Sequence, residues 1–471
     1  VEAREYTSIA FHRDAEGLSV AICDPGAADE LGRLRKKIDQ PLKFYLAYDD
    51  AIRTAIESNF HSHLPRIEEL IQQFGKKSEA DNAELVTTLV EQIMIYALRN
   101  RAADVHIEPL AQRSIIRFRI DGVLHHIIDL PQALAQRCLN RLKYLAKIPV
   151  DDARAPYSGK IKFEFTEGAV DVRVSLAPVM SGQKVVLRLM GHGQRNLNLK
   201  DLGLQPQQLR LLESAIKRRQ GLIITSGSVG SGRSSTLYAI IKKLNSERVN
   251  ISTIEDPVEY DIEGVNQVQV QLSVGLDYIG GLRLILRQDA DIIMVSSLSD
   301  VATSHLALMA AINGHVVLGS MDAPQAADVI VRCLEMGLEP YALTVGLRLV
   351  IGQRLVRKLC LRCRQEHSLG TSEREVIASQ LQLEAKTIPS RLYKAVGCEL
   401  CGQTGYRGRV GLFELLEITD AIKEMILKKA SAEAIQQKAI IHGMMTMTAD
   451  ALHKAAQGLT TIDEIVSELR S

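Results

Sequence analysis

The sequence has almost no excess of charge: 57 lysines and arginines face 56 aspartates and glutamates, a formal net charge of +1. Gripping nucleic acid through a broad basic surface needs a positive excess, so this balance argues against that class and no nucleic-acid partner is expected. Long apolar runs are missing too. Apolar residues make up 46% of the chain, yet no stretch approaches the roughly 18 uninterrupted apolar residues that span a bilayer. The opening VEAREYTSIAFHRDAEG lacks the apolar h-region of a secretory signal. A soluble, cytoplasmic protein is expected, and with valine first the native start is expected to lie elsewhere. No low-complexity segment or internal repeat stands out.

Cysteine is sparse but patterned. Of seven cysteines, Cys23, Cys138 and Cys333 are scattered, while Cys360, Cys363, Cys398 and Cys401 form two C-x-x-C pairs. In a reducing compartment that is a metal pattern before it is a disulfide pattern. Paired knuckles of this kind suit tetrahedral thiolate coordination of Zn²⁺, and four thiolates leave no open position, so the ion would be structural. Nothing thioredoxin-like surrounds either pair, which disfavours redox catalysis.

At 471 residues the chain exceeds one ordinary core, and a prior of roughly three domains follows. Residues 1–75, with alternating LSVAICDP and helix-like ADELGRLRKKI, fit a small α+β domain. The polar run GKKSEADNAE suggests a linker at 76–84. From Leu85 the apolar positions Leu85, Leu89, Ile93 and Ala97 share one helical face. In SIIRFRIDGVLHHII, Ile116, Phe118 and Ile120 alternate with Arg117 and Arg119 up to an Asp121-Gly122 turn, which reads as a hairpin. AVDVRVSLAPVMSGQKVVLRLM offers two more strands around Ser181-Gly182. A second α+β domain is therefore expected at 85–192. Beyond the polar stretch GHGQRNLNLKDLG, the short apolar runs GLIITS, NISTIE, DIIMVSS and HVVLGS alternate with helical stretches, the signature of parallel strands buried on both faces. A RecA-like P-loop α/β core is expected over 200–358, a tetracysteine element over 359–413 and a helical region over 414–471. In that last region Ile422, Met425 and Ile426, then Ile435 and Ala439, recur at helical spacing.

The candidate phosphate loop is GSVGSGRSST. Gly227, Ser228, Val229, Gly230, Ser231, Gly232, Arg233, Ser234 and Ser235 follow an apolar strand and precede a helix-like stretch. Glycines let backbone N–H groups turn inward, and the helix N-terminus adds a positive field toward phosphate. Arg233 stands where such loops carry lysine. It keeps the charge but not the geometry, because guanidinium is wide, planar and prefers bidentate contacts. Ser234 offers a hydroxyl where Mg²⁺ would be held.

Read with TIEDPVEY, LRLILRQDADIIMV and CELCGQTGYRGRVGLFELLEI, the chain resembles the type II secretion and type IV pilus assembly ATPases over nearly its whole length. RAADVHIEP, RFRIDGVLHHI and VDVRVSLAPVMSGQKVVLRLM look like that family's second N-terminal, PAS-like domain. Residues 1–75 are similar to its first, which in secretion members docks onto a membrane-anchored partner. Membership implies a RecA-like hexameric motor, ATP or ADP with Mg²⁺, and a place at the inner membrane held through partners. Many members also carry the tetracysteine element.

Fold analogy does not settle activity, which must be argued from the site. Glu255, Asp256 and Glu259 match the family's acidic box, and their carboxylates can orient Mg²⁺ or water. After DIIMV, where the family has Gly-Glu, this chain has Ser296-Ser297. A serine hydroxyl has no useful basicity near neutral pH. The family's γ-phosphate-sensing histidine is matched by Asp322, and Ser299 stands at a family arginine. Cooperating catalytic residues fail together, so these departures point to impaired hydrolysis. Rearranged chemistry through Glu255, Asp289 or Asp300 stays open. Arg173 and Arg188 match arginines that in the family reach toward nucleotide, and Arg283 and Arg287 lie on the approach to DIIMV. The alternative role for these arginines is salt bridging along the strands. Two readings result: a nucleotide-binding subunit with impaired hydrolysis, alone or in a ring with an active paralogue, and an active hexameric motor.

Overall fold

The fourfold spacing of Leu85, Leu89, Ile93 and Ala97 does build a helix, and all four side chains are buried. The structure, a computed structural model, describes residues 8–14, 17–23, 41–48, 52, 63–76, 78–152, 154–165, 168–190 and 198–470. The chain divides into two compact units, Val1–Gly193 with Cys398–Gln403, and Gln194–Gly397 with Thr404–Ser471.

In the first unit, β1 (Ser8–Asp14) pairs antiparallel with β2 (Gly17–Ile22), which pairs parallel with β3 (Leu42–Leu46). The helix-like ADELGRLRKKI lies outside the described residues. Helices α1 (His63–Gln73) and α2 (Glu79–Arg99) lead into β4 (Ala102–Pro109), β5 (Arg113–Ile120) and β6 (Val123–Pro131). Then come α3 (Gln132–Leu145), β7 (Tyr157–Phe165), β8 (Gly168–Val179) and β9 (Gly182–Leu189). The strands form one antiparallel sheet in the order β6-β5-β4-β9-β8-β7. Asp121 and Gly122 turn β5 into β6 with φ of 49° and 91°, the paired left-handed conformation that a two-residue hairpin turn requires. Phe118, Val174 and Leu187 of the sheet share a core with Leu89 and Met94 of α2 and Cys138 of α3.

The expected linker at 76–84 is corrected. Ser78 is the N-cap of α2, accepting from the Asp81 backbone N–H at 3.3 Å, so the polar residues from Glu79 onward are already helical. Asn82 faces inward and accepts from the Gly75 N–H. Ile67 and Leu70 of α1 pack into the same core as α2, which carries that core across the boundary expected at residue 75.

In the second unit, α4 (Pro206–Ile216) precedes β10 (Gly221–Ser226), α5 (Arg233–Leu244), β11 (Ile251–Glu255), β12 (Val265–Gln269), α6 (Tyr278–Ile285) and β13 (Ile292–Val295). There follow α7 (Val301–Ile312), β14 (Val316–Met321), α8 (Ala326–Glu335), α9 (Pro340–Gly346), β15 (Leu347–Leu359), β16 (Gln365–Ser368), α10 (Thr371–Leu381), β17 (Arg391–Lys394) and β18 (Tyr406–Glu417). The chain continues through α11 (Asp420–Leu427), α12 (Ala432–Ile441), α13 (Met447–Ala456) and α14 (Ile462–Arg470). The main sheet runs β12-β11-β13-β14-β10-β15-β18 and is parallel except where β18 meets β15. Leu222 and Ile224 of β10 enter one core and Ile223 the other. The strand is thus buried on both faces, as its unbroken apolar run demands.

The divisions expected at 358/359 and 413/414 are also corrected, since each falls inside a strand. β15 pairs with β18 from Leu349 opposite Glu417 to Leu359 opposite Tyr406. The residues that look like the start of a helical tail are the end of a sheet strand. Asp450 and Lys454 of α13 hold that strand from within. The Asp450 carboxylate accepts from the Phe413 N–H at 2.8 Å, from Gln205 Nε2 at 2.9 Å and from Lys454 Nζ at 2.5 Å. Lys454 also donates to the Gly411 carbonyl at 2.6 Å, and burial pulls its ammonium below the ordinary lysine value. Removing one member of such a buried pair strands the other. Asp450→Ala is expected to cost about 3–5 kcal/mol of stability, read as a lower urea midpoint, while Lys423→Ala at the exposed Asp420 pair leaves the midpoint in place.

Candidate nucleotide and metal sites

Because β10, β11, β13 and β14 run parallel, their C-terminal ends open on one edge of the sheet, the side where such folds bind ligands. The segment Gly227–Ser235, the acidic segment from Glu255, the pair Ser296-Ser297 and Asp322 each follow one of these strands. The structure thus brings the expected loop and acidic residues to a common edge. Arg173 and Arg188 lie in the other unit, on β8 and β9. There Arg188 donates to Asp104 at 2.8 Å, and Arg119 pairs with the second oxygen of the same carboxylate at 3.3 Å. Arg188 has a strand partner, as its structural alternative anticipates, and its side chain stays largely exposed.

The loop turns tightly. Gly227 has φ of 152°, and a Cβ there would lie 2.4 Å from both the Gln353 carbonyl oxygen and Ser231 Oγ. Gly232, at φ of 90°, is the N-cap of α5 and brings no side chain to the helix end. The leading N–H groups of α5 therefore have no side-chain cap, leaving the field of the helix N-terminus available to an anion. Gln353 Nε2 fixes the turn by donating to the Ser231 carbonyl at 2.8 Å. Ser231 Oγ itself is buried without a hydrogen-bond partner. Val229 at the tip is exposed, and Ser234 and Ser235 occupy the first turn of α5, partly accessible. These features fit a phosphate group, with Ser234 at the position where Mg²⁺ would be held.

Arg233 begins α5, and its guanidinium pairs with the Asp322 carboxylate. Arg332 donates to the Asp322 backbone carbonyl, and Arg354 Nη2 to the Pro324 carbonyl at 2.8 Å. Two residues 89 positions apart thus meet as one ion pair.

Glu255 is buried, and its oxygens are taken up internally. Tyr238 of α5 donates to one, while Thr253 Oγ1 at 2.6 Å and Gln267 Nε2 at 3.1 Å donate to the other. Burial, with the nearby Glu255 charge, pushes the Tyr238 hydroxyl well above its ordinary value, so it remains a donor. The same hydroxyl accepts from the Glu259 backbone N–H at 3.2 Å. Asp256 is exposed at the strand end. Ser296 Oγ lies 3.0 Å from the Tyr278 hydroxyl, and its carbonyl accepts from Ser320 Oγ at 2.6 Å. Asp300 is committed as the N-cap of α7, accepting from the Thr303 N–H at 2.8 Å, while Arg283 and Arg287 are exposed. Tyr238, Gln267, Gln353 and Arg332 escape sequence reasoning, because each acts through a partner distant along the chain.

Cys360, Cys363, Cys398 and Cys401 come together with all four sulfurs within 4.8 Å of one another. None is in a disulfide. The Cys363 and Arg364 N–H groups both return to the Cys360 carbonyl, and the Cys398 N–H points at Cys401 Sγ at 3.2 Å. Backbone turns of this kind aim two sulfurs from each pair at one centre, and the set fits a closed tetrahedral zinc site.

Tyr238→Phe removes the donor on one Glu255 oxygen while the carboxylate stays buried. A stability loss of about 1–3 kcal/mol is expected, measured as a shift in the urea midpoint at constant slope.

Comparison with known proteins agrees with this arrangement. The family model described as Type II/IV secretion system protein matches residues 79–467. The type IV pilus assembly ATPase PilB of Myxococcus xanthus is 34% identical, over 98% of this chain and 84% of its own. Type II secretion system protein E of Aeromonas hydrophila is 36% identical, over 97% of this chain and 93% of its own. Among solved structures, the Legionella pneumophila ATPase DotB shares the fold at a TM-score of 0.60 and 19% identity, covering 81% of this chain and 95% of that one. With the match running from α2 into α14 and the relatives aligned over most of their own length, the chain belongs to the family of type II secretion and type IV pilus assembly ATPases.

Proposed function

We propose that this chain is a nucleotide-binding subunit of a type II secretion or type IV pilus machine whose own hydrolysis is impaired or absent. The observation that carries the reading is the fate of the groups that should activate water. Both oxygens of Glu255 are bonded within the fold, and β13 is followed by Ser296 and Ser297 rather than by a carboxylate. A serine hydroxyl hydrogen-bonded to a tyrosine is no general base near neutral pH. Binding is supported separately, by the uncapped N-terminus of α5 and the orphaned Ser231 hydroxyl.

In this reading Gly227–Ser235 holds the phosphates, and Ser234 and Asp256 face Mg²⁺. Bound Mg-nucleotide would contribute charge for ordering the ring rather than turnover. The partners are further copies of this chain or an active paralogue in a hexameric ring, and a cytoplasmic docking or platform protein at the inner membrane. No helix among the described residues is long and apolar enough to cross a membrane, which is consistent with a cytoplasmic subunit held there by partners. Full chain given Mg-ATP under hexamer-forming conditions should bind nucleotide yet release phosphate at background. Arg233→Lys alone should leave release at background, because Ser297 and Asp322 remain. Turnover by the unmodified chain at a rate ordinary for such motors would establish the active-motor reading instead.

The tetracysteine cluster is proposed to hold one structural Zn²⁺ that shapes the segment between β15 and β18. Elemental analysis of protein purified without added metal should give about one zinc per chain. Replacing Cys360 and Cys363 together by serine should abolish it; undiminished zinc in that variant would remove the cysteines from the site.

A further inference from the structure

We propose that Asp322 makes the Gly227–Ser235 loop selective for nucleoside diphosphate over triphosphate, by supplying internally the anion that the loop's cation would otherwise take from the terminal phosphate. The proposal rests on the loop being a nucleotide site. In phosphate loops the backbone N–H groups cradle the α and β phosphates, and the side chain at the position of Arg233 reaches the β and γ phosphates. Here that side chain is paired with Asp322.

Asp322 is not a loose surface acid. The parallel register sets Ser226 opposite Met321, so the loop after β10 and the turn after β14 leave the sheet side by side. Arg332 holds the Asp322 carbonyl, and Arg354 holds the Pro324 carbonyl two residues on. The backbone under the carboxylate is fixed by these two contacts, so the acid stays beside the loop even where Arg233 swings away. A diphosphate draws on the backbone cradle and the N-terminus of α5, which Asp322 does not occupy, and meets the arginine only at its β phosphate. A triphosphate places a further anionic group toward Arg233. It must then take the arginine from Asp322, leaving a carboxylate unpaired beside the new charge, or forgo the arginine. Either course weakens the triphosphate relative to the diphosphate.

The test is calorimetric titration of Mg-ADP and of a non-hydrolysable Mg-ATP analogue into the full chain and into Asp322→Asn. The Asp322 side chain is 60% exposed, so the isosteric change leaves the core untouched. The unmodified chain is expected to bind the diphosphate at least about tenfold more tightly. Asp322→Asn is expected to tighten the triphosphate about tenfold while moving the diphosphate by less than about threefold. Equal affinities in the unmodified chain, or a parallel shift of both ligands in the variant, would overturn the selectivity and leave the nucleotide site standing. Binding of neither ligand to either protein would overturn the nucleotide reading itself. If the variant does not fold, the affinity ratio of the unmodified chain still decides.

Discussion

The parallel register of β10 against β14 decides what Arg233 meets. With Ser226 opposite Met321, the residues following the two strands must emerge together, and Arg233 finds Asp322. The same parallelism delivers Glu255 at the end of β11 and Ser296 after β13 to that edge. The resemblance read from the sequence implies lysine and histidine at these two facing positions, both able to donate to an anion lying between them. Arginine and aspartate satisfy each other with nothing between. Two residues that look independent along the chain therefore act as one electrostatic unit, a pair that contains its own counter-charge.

The residues at this edge divide into those with hydrogen-bonding groups left over and those absorbed by the fold. Glu255 belongs to the second group: its three donors come from α5, β11 and β12. A buried carboxylate held by three donors has about one of its four lone-pair sites left, and it ties together the elements around it. The loop remains in the first group, because its helix end lacks a side-chain cap and Ser231 keeps a hydroxyl without a partner. The loop and Glu255 thus belong to separate sets of contacts at one edge of the sheet.

Much of the fold was legible where the code is local. Period-two alternation gave the β5–β6 hairpin, and Asp121-Gly122 gave its turn because few residues accept the positive φ both positions adopt. Apolar runs flanked by helical stretches gave the parallel order of the core, and the four cysteines gave the cluster. The failures share a cause. Residues 76–84 looked like a linker because a polar first helical turn and a linker have the same composition; Ser78 as a cap tells them apart only once the helix is seen. β18 looked like the edge of a helical tail because a strand's partner is not written in its own residues. Tyr238 offered no signal of its own, because its bond to Glu255 crosses between elements. The site residues were legible as types at positions. Their partners were not.

One buried acid carries this reasoning from the C-terminal helices back to the loop. Glu414, near the end of β18, accepts from the Ala326 N–H at 2.7 Å and the Met447 N–H at 3.4 Å, the first residues of α8 and α13. Burial raises its carboxyl above the ordinary range, while those two N–H groups act to lower it. A carboxyl between two helix N-termini sits where their partial positive charges favour it. Ala326 stands four residues beyond Asp322, and Arg332 of the same helix holds the Asp322 carbonyl. The short turn carrying Asp322 is therefore fixed at both ends, by strand register at Met321 and by Glu414 at Ala326. What Arg233 meets is set on one side by the central sheet and on the other by β18, and α13 is tied to that strand through Asp450. The helical tail that seemed separate in the sequence is part of what places the loop's counter-charge.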